Sequence, residues 1–179
     1  QIFHDVCLMD LPVTFALDRG GIAGNDGWTH HGLFDYAYFR MFPNAIVMAP
    51  KDENELQHML ATAVEQPHPT AVRYPRGNGI GVALDAEFRQ LPIGKAEVLR
   101  RGRHGLVWAT GSTVYPALEA IERLAKEGVE LTLVNARFVK PLDRELLALQ
   151  IEQFGSLEGG ARLATVEEHA LTGGFGSAV

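Results

Sequence analysis

The 179-residue chain has the length of one ordinary domain or of two small ones that share an interface. Hydrophobic residues make up 46% and charged residues 21%, which is typical of a globular protein and argues against disorder or a fibre. The net charge of −6 argues against general binding of nucleic acid or of an acidic membrane. No apolar run approaches the roughly 20 residues of a membrane span, so no membrane association is expected.

The single cysteine and the two ends of the chain indicate a cellular location and the relation of the chain to a longer protein. The single cysteine, Cys7, cannot form a disulfide within the chain, and we expect a buried structural thiol. No secretory signal pattern is recognisable at the start, and both observations favour a cytoplasmic location. The chain starts without Met in a helix-like pattern and ends in the glycine-rich "GGFGSAV". We expect it to be part of a longer protein.

In the first half, apolar runs of strand length alternate with helical patterns. Continuous apolar runs are typical of strands buried on both faces of a parallel sheet, and they occur at residues 11–17, 44–50 and 70–75. Residues 31–42 predict a short helix. A longer helix is predicted before the third strand, because Asp52 is a candidate N-cap and Glu55 resembles the second member of a capping box.

The second half repeats this alternation after a glycine-containing stretch without a clear period at residues 78–91, which we interpret as a linker. Strand patterns and helical patterns then follow one another, the strands at residues 105–112, 129–137 and 162–169 and the helices at 114–128 and 141–154. The predicted fold class is therefore α/β, with two doubly wound units.

Arg19 and Arg76 each follow a predicted strand, at the sheet edge where parallel strands end and ligands commonly bind. Two guanidinium groups that converge there would form a bidentate clamp for a phosphate or a carboxylate. The alternative is that both are surface residues paired with carboxylates such as Asp18. The strand pattern alone does not decide between the two. Arg73 lies within its strand, and we interpret it as a structural ion-pair partner or an edge residue.

Asp26 and His30 share the glycine-rich loop that follows the first strand. A carboxylate near an imidazole can orient the ring and stabilise its proton, which suits a proton donor or a hydrogen-bond donor to a substrate oxygen. A purely structural loop is the competing interpretation. No metal site is predicted, because the spacing of Asp26, His30, His31 and Asp35 matches no established ligand pattern.

The terminal segment "EEHALTGGFGSA" allows two interpretations. Backbone N–H groups at a glycine-rich helix start can cradle a phosphate. The segment matches neither the Walker pattern nor the dinucleotide fingerprint, however, so we favour a glycine turn that connects a strand to a helix. We expect His169 to belong to this local structure.

Several segments resemble, in order, the later half of the 1-deoxy-D-xylulose-5-phosphate synthases, a family of transketolase-like enzymes. They are "DRGGIAGNDGWTHHG", "APKDENEL", "RYPRGNG", "LPIGK", "ARFVKPLD" and "VEEHALTGGFGSAV". The D-G-x-T-H piece is shared with transketolases generally, whereas "RYPRGN" and "ARFVKPLD" together indicate the synthases. The resemblance implies a partial pyrimidine-binding domain at residues 1–77, a linker at 78–91 and a truncated transketolase C-terminal-like domain at 92–179.

The resemblance also implies a reaction. Synthases of this family use thiamine diphosphate and Mg²⁺ to decarboxylate pyruvate. They add the two-carbon fragment to D-glyceraldehyde 3-phosphate, and the 1-deoxy-D-xylulose 5-phosphate that forms with CO₂ feeds isoprenoid and thiamine biosynthesis. By this likeness Arg19 and Arg76 hold the substrate phosphate. His30 hydrogen-bonds or protonates the acceptor carbonyl, and Asp26 orients the loop or His30.

The same resemblance places the cofactor outside this chain. The family's cofactor-activating glutamate and its metal ligands precede Gln1, so no cofactor-binding or metal-binding residue is expected here. We expect the isolated chain to be inactive and the full-length protein to be a homodimer. Two alternatives remain open: another thiamine diphosphate enzyme, such as a transketolase or a 2-oxo-acid dehydrogenase beta subunit, and a noncatalytic anion-binding module.

Overall fold

The computed structural model describes residues 1–156 and 160–179, which form two four-stranded sheets with helices packed on them. The first sheet contains, in spatial order, β1 (Thr14–Leu17), β3 (Thr70–Arg73), β2 (Ile46–Met48) and β7 (Phe138–Lys140). The second contains β4 (Glu97–Arg100), β6 (Thr132–Asn135), β5 (Leu106–Ala109) and β8 (Leu163–Val166). In each sheet three strands are parallel and one edge strand, β7 or β4, is antiparallel.

The helices accompany the sheets in the predicted alternation. They are α1 (Asp35–Arg40), α2 (Glu53–Val64), α3 (Val114–Lys126) and α4 (Arg144–Gly155). Short helical turns occur at Ile2–Cys7, Gly24–Asp26, Trp28–His30 and Gly111–Thr113. No helix among the described residues is long and apolar enough to cross a membrane. The α/β prediction is confirmed.

The surroundings of strand β2 explain why its sequence is apolar throughout. Ile46 and Met48 pack with Met59 of α2 on one face of the sheet. Val47, which points to the other face, packs with Tyr36 of α1. Because helices cover both faces, every side chain of the strand is buried and no polar alternation develops.

The two units share one core. Trp108 of β5 is fully buried in the same cluster as Tyr36 of α1 and Phe154 of α4. Its indole N–H donates to Oε1 of Gln150 at 2.8 Å, which satisfies the only polar atom of the ring. The opposite face of the second sheet packs on α3 through Val107 and Ile121. The second unit is therefore fixed against the first.

Strand β7 crosses from the second unit to the first, which the sequence analysis did not predict. The strand predicted at residues 129–137 ends at Asn135 in the structure, and Arg137 adopts a left-handed conformation with φ of 56°. The chain then turns, and Phe138 pairs with Met48 of β2 in an antiparallel register. Residues 78–91 contain neither helix nor strand. The division at 77 and 92 stays a prediction, but residues of the second half complete the first sheet.

A buried polar cluster lies at this crossing. The Asp52 side chain accepts the N–H of Glu55 at 2.7 Å, which confirms the predicted N-cap of α2. The Glu55 carboxylate is buried and accepts hydrogen bonds from Asn135 Nδ2 at 2.9 Å and from Arg137 Nε at 2.8 Å. Although burial opposes the charge of Lys51, the carboxylates around it, Glu55 foremost, raise the pKa of that ammonium group.

Cys7 is buried, as predicted, and this burial raises the pKa of its thiol. A thiol that resists ionisation is a poor nucleophile. Cys7 is therefore a structural residue.

Candidate functional site

The loop that follows β1 closes on itself through its backbone. Gly20 donates its N–H to the carbonyl of Tyr74 at 2.9 Å, just beyond β3. Gly32, at the far end of the loop, donates its N–H to the carbonyl of Arg19 at 3.0 Å. Arg19 itself has a φ of 58°, a conformation that residues other than glycine adopt rarely. These bonds hold Arg19 at the carboxyl end of its strand.

Arg19 and Arg76 converge on one carboxylate. Nε of Arg19 and Nε of Arg76 each lie 2.8 Å from Oδ2 of Asp26. Arg19 also pairs with Asp18. The side chain of Asp26 is largely covered, at 17% exposure, whereas those of Arg19 and Arg76 are 39% and 47% exposed. We call these three residues the arginine cluster.

The arginine cluster combines both interpretations that the sequence left open. Its arginines are paired with carboxylates, and they also lie side by side at the sheet edge where a ligand would bind. Within residues 1–156 and 160–179, Arg76 makes no other ion pair. A guanidinium has five N–H donors, and Asp26 accepts a hydrogen bond from Nε of Arg19 and forms an ion pair with Nε of Arg76. The arrangement can therefore accept a further anion.

His30 lies on the same loop but does not contact Asp26. In the part of the chain that the structure describes, the one hydrogen bond of its ring joins Nδ1 to Oγ1 of Thr29, at 3.1 Å. The Asp26 oxygen that the arginines contact is Oδ2, and the expectation that Asp26 orients His30 stays a prediction. Its alternative, that Asp26 orients the loop, agrees with the contacts: Asp26 ties its own loop to Arg76 beyond β3. The neighbouring His31 accepts the N–H of Ala23 through Nδ1 at 3.0 Å, a local structural role.

Arg73 is a structural ion-pair residue, as predicted. It is 3% exposed, and its Nε donates to Oδ2 of Asp35 at 2.9 Å. The guanidinium carbon lies 4.5 Å from the centre of the Tyr36 ring, in a cation–π arrangement. Nη2 donates to the carbonyl of Gly32 at 2.8 Å and to that of Glu168 at 2.7 Å. Arg73 thus joins the loop to the second unit.

His169 belongs to the same buried junction. Its side chain is fully covered and stacks on Tyr36, with ring centres 5.0 Å apart. Nδ1 is 2.8 Å from the carbonyl of Ala170, and Nε2 lies 3.6 Å from Oδ1 of Asp35 without a hydrogen bond. Burial raises the pKa of the Tyr36 hydroxyl. Arg73 and His169 thus share Tyr36 and Asp35 as neighbours, which their separate positions in the sequence did not predict.

The glycine-rich terminal turn is filled by a side chain of this protein. The Glu167 carboxylate accepts the N–H of Phe175 and, at 2.7 Å, that of Gly176. A Cβ on Gly174 would lie 2.5 Å from Oε2 of Glu167, so the turn closes tightly on the carboxylate. Because a carboxylate already occupies these donors, the structure favours the glycine turn over the phosphate cradle, although no helix follows the turn among the described residues.

A cavity of about 530 Å³ lies between the units. Its lining includes Pro75 and Gly77, the two sequence neighbours of Arg76. Its walls are mainly apolar and aromatic, and they include Tyr74, Pro75, Ile80 and Tyr115. The Tyr115 hydroxyl donates to Oδ2 of Asp52 at 2.9 Å, and burial together with this bond raises the pKa of Tyr115 to about 12. Among the described residues, no group of three or more His, Cys, Asp or Glu side chains could hold a metal ion.

Two domain families match the chain. Residues 1–80 match the transketolase pyrimidine-binding domain, and residues 94–179 match the transketolase C-terminal domain. Among solved structures, a split-gene transketolase, described as an inactive beta4 tetramer, superposes with a TM-score of 0.84 at 31% identity. That match covers 99% of this chain and 55% of the other.

Curated relatives extend the likeness. The chain is 62% identical over its full length to 1-deoxy-D-xylulose-5-phosphate synthase 1 of Geobacter metallireducens, and 59% identical to 1-deoxy-D-xylulose-5-phosphate synthase 2 of Geobacter sulfurreducens. The match spans 28% of the length of each of these proteins. The family resemblance stated from the motifs is confirmed.

Proposed function

We propose that this chain, which belongs to the transketolase family, is the later part of a 1-deoxy-D-xylulose-5-phosphate synthase and builds that enzyme's acceptor site. The full-length protein would decarboxylate pyruvate and join the two-carbon fragment to D-glyceraldehyde 3-phosphate. The products would be 1-deoxy-D-xylulose 5-phosphate, for isoprenoid and thiamine biosynthesis, and CO₂. We further propose that it acts in the cytoplasm as a homodimer.

The observation that carries this proposal is the arginine cluster. Two guanidinium groups lie 2.8 Å from the same carboxylate oxygen, at the carboxyl ends of β1 and β3. Such a pair binds phosphate through several N–H donors at fixed angles, and each charge-assisted hydrogen bond contributes about 1.5–3 kcal/mol. We propose that the phosphate of D-glyceraldehyde 3-phosphate binds to the exposed side of Arg19 and Arg76. Asp26 would keep both guanidinium groups in place from behind.

We assign His30 to the reacting end of the acceptor. The ring is exposed, and it lies on the loop that the arginine cluster anchors. A positioned imidazole can donate a hydrogen bond or a proton to an oxygen that gains charge. The phosphate bound at the arginines would present the aldehyde oxygen to this ring.

The family implies thiamine diphosphate and Mg²⁺ as cofactors. The described residues offer no group of three or more His, Cys, Asp or Glu side chains that could hold Mg²⁺ by themselves. We propose that the cofactors are held mainly by the part of a longer protein that this chain does not span. The isolated chain should accordingly release no CO₂ from pyruvate.

The test uses the full-length protein with thiamine diphosphate, Mg²⁺, pyruvate and D-glyceraldehyde 3-phosphate, and it follows the products by NMR. We expect 1-deoxy-D-xylulose 5-phosphate, formed only when both substrates are present. Consumption of a ketose phosphate without pyruvate would instead identify a transketolase. Transfer of an acyl group to lipoamide would identify a 2-oxo-acid dehydrogenase component.

A further inference from the structure

Glu168, two residues beyond β8, contacts the loop of the first unit through its side chain. Its Oε1 accepts the N–H of Ile22 at 2.8 Å, and its Oε2 accepts the hydroxyl of Ser112 at 3.1 Å. Ser112 lies in the helical turn that precedes α3. One carboxylate therefore connects the start of the loop to a fixed point of the second unit.

The main chain around Glu168 holds the other end of the same loop. The carbonyl of Glu168 accepts Nη2 of Arg73 at 2.7 Å, and that same nitrogen donates to the carbonyl of Gly32. Ala170 donates its N–H to the carbonyl of Leu33 at 3.0 Å. Residues 168–170 thus attach to both ends of the segment that carries Asp26 and His30.

The packing at this junction leaves no room for a side chain at Gly20 or Gly21 of the loop. A Cβ on Gly21 would lie 2.2 Å from Cδ of Glu168, and a Cβ on Gly20 would lie 2.4 Å from Nε of Arg73. Gly21 also has a φ of 84°, which favours glycine. Because glycines allow many backbone conformations, hydrogen bonds from outside the loop are needed to stabilise a single one.

We propose that Glu168 is a positioning residue for the acceptor site: its carboxylate fixes the path of the loop that carries Asp26 and His30. Glu168 binds the backbone of Ile22 and leaves the substrate to the arginine cluster. The second unit would in this way take part in substrate binding without contributing a contact to the substrate. This inference rests on the proposed function, because the loop is taken to bind the acceptor.

The contacts predict how the acceptor site depends on Glu168. Arg19 and Arg76 follow β1 and β3 and stay with the sheet, whereas Asp26 and His30 lie farther along the loop that Glu168 holds. Loss of the Glu168 carboxylate would let the loop shift relative to Arg76 and weaken the shared site for phosphate. The pyruvate half of the reaction would not depend on this loop position.

The test compares Glu168→Ala, Glu168→Gln and Glu167→Ala in the full-length protein. Glu167→Ala is the matched control, since this neighbour holds the terminal turn and not the loop. In Glu168→Ala we expect hydrogen exchange of a peptide covering residues 20–32 to speed up roughly tenfold, for the loss of one charge-assisted bond. The KM for D-glyceraldehyde 3-phosphate should rise by about the same factor, and the KM for pyruvate should stay constant.

Two further variants separate positioning from loss of stability. Glu168→Gln keeps an oxygen that can accept the Ile22 N–H, so it should restore most of the aldehyde affinity. Gly21→Ala should resemble Glu168→Ala, because its Cβ displaces the carboxylate. Gly128→Ala is its control, since Gly128 has a similar φ of 87° but open space around the position of a Cβ, and it lies outside the acceptor-site loop.

Unchanged loop exchange in Glu168→Ala would overturn the proposal, and so would faster exchange with an unchanged aldehyde KM. Equal effects of Glu167→Ala and Glu168→Ala would also overturn it. If the wild-type protein has no synthase activity, the proposed function fails separately. The comparison then uses the Kd of inorganic phosphate, which a positioning role of Glu168 requires to rise in Glu168→Ala and which overturns that role if unchanged.

Discussion

Nε of Arg76 lies 2.8 Å from Oδ2 of Asp26, and this contact joins the end of one strand to a loop that follows another. The same oxygen accepts Nε of Arg19. Asp26 therefore neutralises part of the charge of two arginines and fixes the distance between them. A substrate phosphate that binds there would meet a site whose geometry is set before it arrives, which reduces the entropy cost of binding.

Because they share Asp26, the two arginines should act together. In the full-length protein, Arg19→Ala and Arg76→Ala should each raise the KM for D-glyceraldehyde 3-phosphate by about 10- to 100-fold. The double variant should lose less than the product of the two, since each single change also releases Asp26. Steady-state kinetics check this. Arg89→Ala is the control, because Arg89 is exposed and pairs with Asp85.

His30 should affect the chemical step more than binding. His30→Asn should lower kcat by roughly 10²-fold and leave the KM for the aldehyde nearly unchanged, since the proposed contact forms as the carbonyl oxygen gains charge. His31→Asn should cost much less, because Asn can still accept the Ala23 N–H that His31 Nδ1 accepts now. A rise in KM with normal kcat in His30→Asn would count against this assignment.

The buried cluster between the units should be costly to break. Arg137→Ala removes an ion-pair partner of the buried Glu55 carboxylate, and we expect a loss of about 3 kcal/mol in the free energy of unfolding. Arg103→Ala should change it by less than about 0.5 kcal/mol, because Arg103 and its partner Glu130 are solvent-exposed. Urea unfolding of both variants would measure the difference. Equal losses would show that the buried pair with Glu55 stabilises the protein no more than an exposed ion pair does.

Tyr115 gives a pH-dependent test. The pKa of its hydroxyl is raised to about 12 in the folded protein, whereas in the unfolded chain the hydroxyl ionises near pH 10. Below pH 10 the bond to Asp52 should make the wild type more stable than Tyr115→Phe, by about 1 kcal/mol. Above it, ionisation of the unfolded chain should reduce that advantage by about 1.4 kcal/mol per pH unit until about pH 12. A difference that is constant from pH 8 to 12 would contradict the account.

Much of the fold follows from local patterns in the sequence. Val47 and its neighbours are apolar because both faces of β2 are covered, and Asp52 caps α2 as its spacing from Glu55 predicts. Strand β7 could not be predicted in this way, since its partner Met48 lies in the other unit and the strand has only three residues. Non-local pairing leaves no periodic signal in so short a segment.

The candidate site also has features that the sequence predicts and features that depend on non-local contacts. The positions of Arg19 and Arg76 after two parallel strands were enough to predict that they lie at one edge. The ion-pair partner of Asp26 was not predictable from the sequence. His30 is close to Asp26 in sequence, whereas the actual partner, Arg76, follows β3 and is 50 residues away. Glu168 was missed for the same reason: its contact with Ile22 exists only once the two units pack together.

The most direct test of the arginine cluster compares D-glyceraldehyde 3-phosphate with unphosphorylated D-glyceraldehyde, in the full-length wild type and in Arg76→Ala. If Arg76 binds the phosphate, kcat/KM should fall by about 10- to 100-fold for the phosphorylated aldehyde. It should stay nearly constant for the unphosphorylated one, which has no group for the arginine to hold. Equal losses with both aldehydes would contradict the proposed phosphate site and would leave Arg76 with a structural role only.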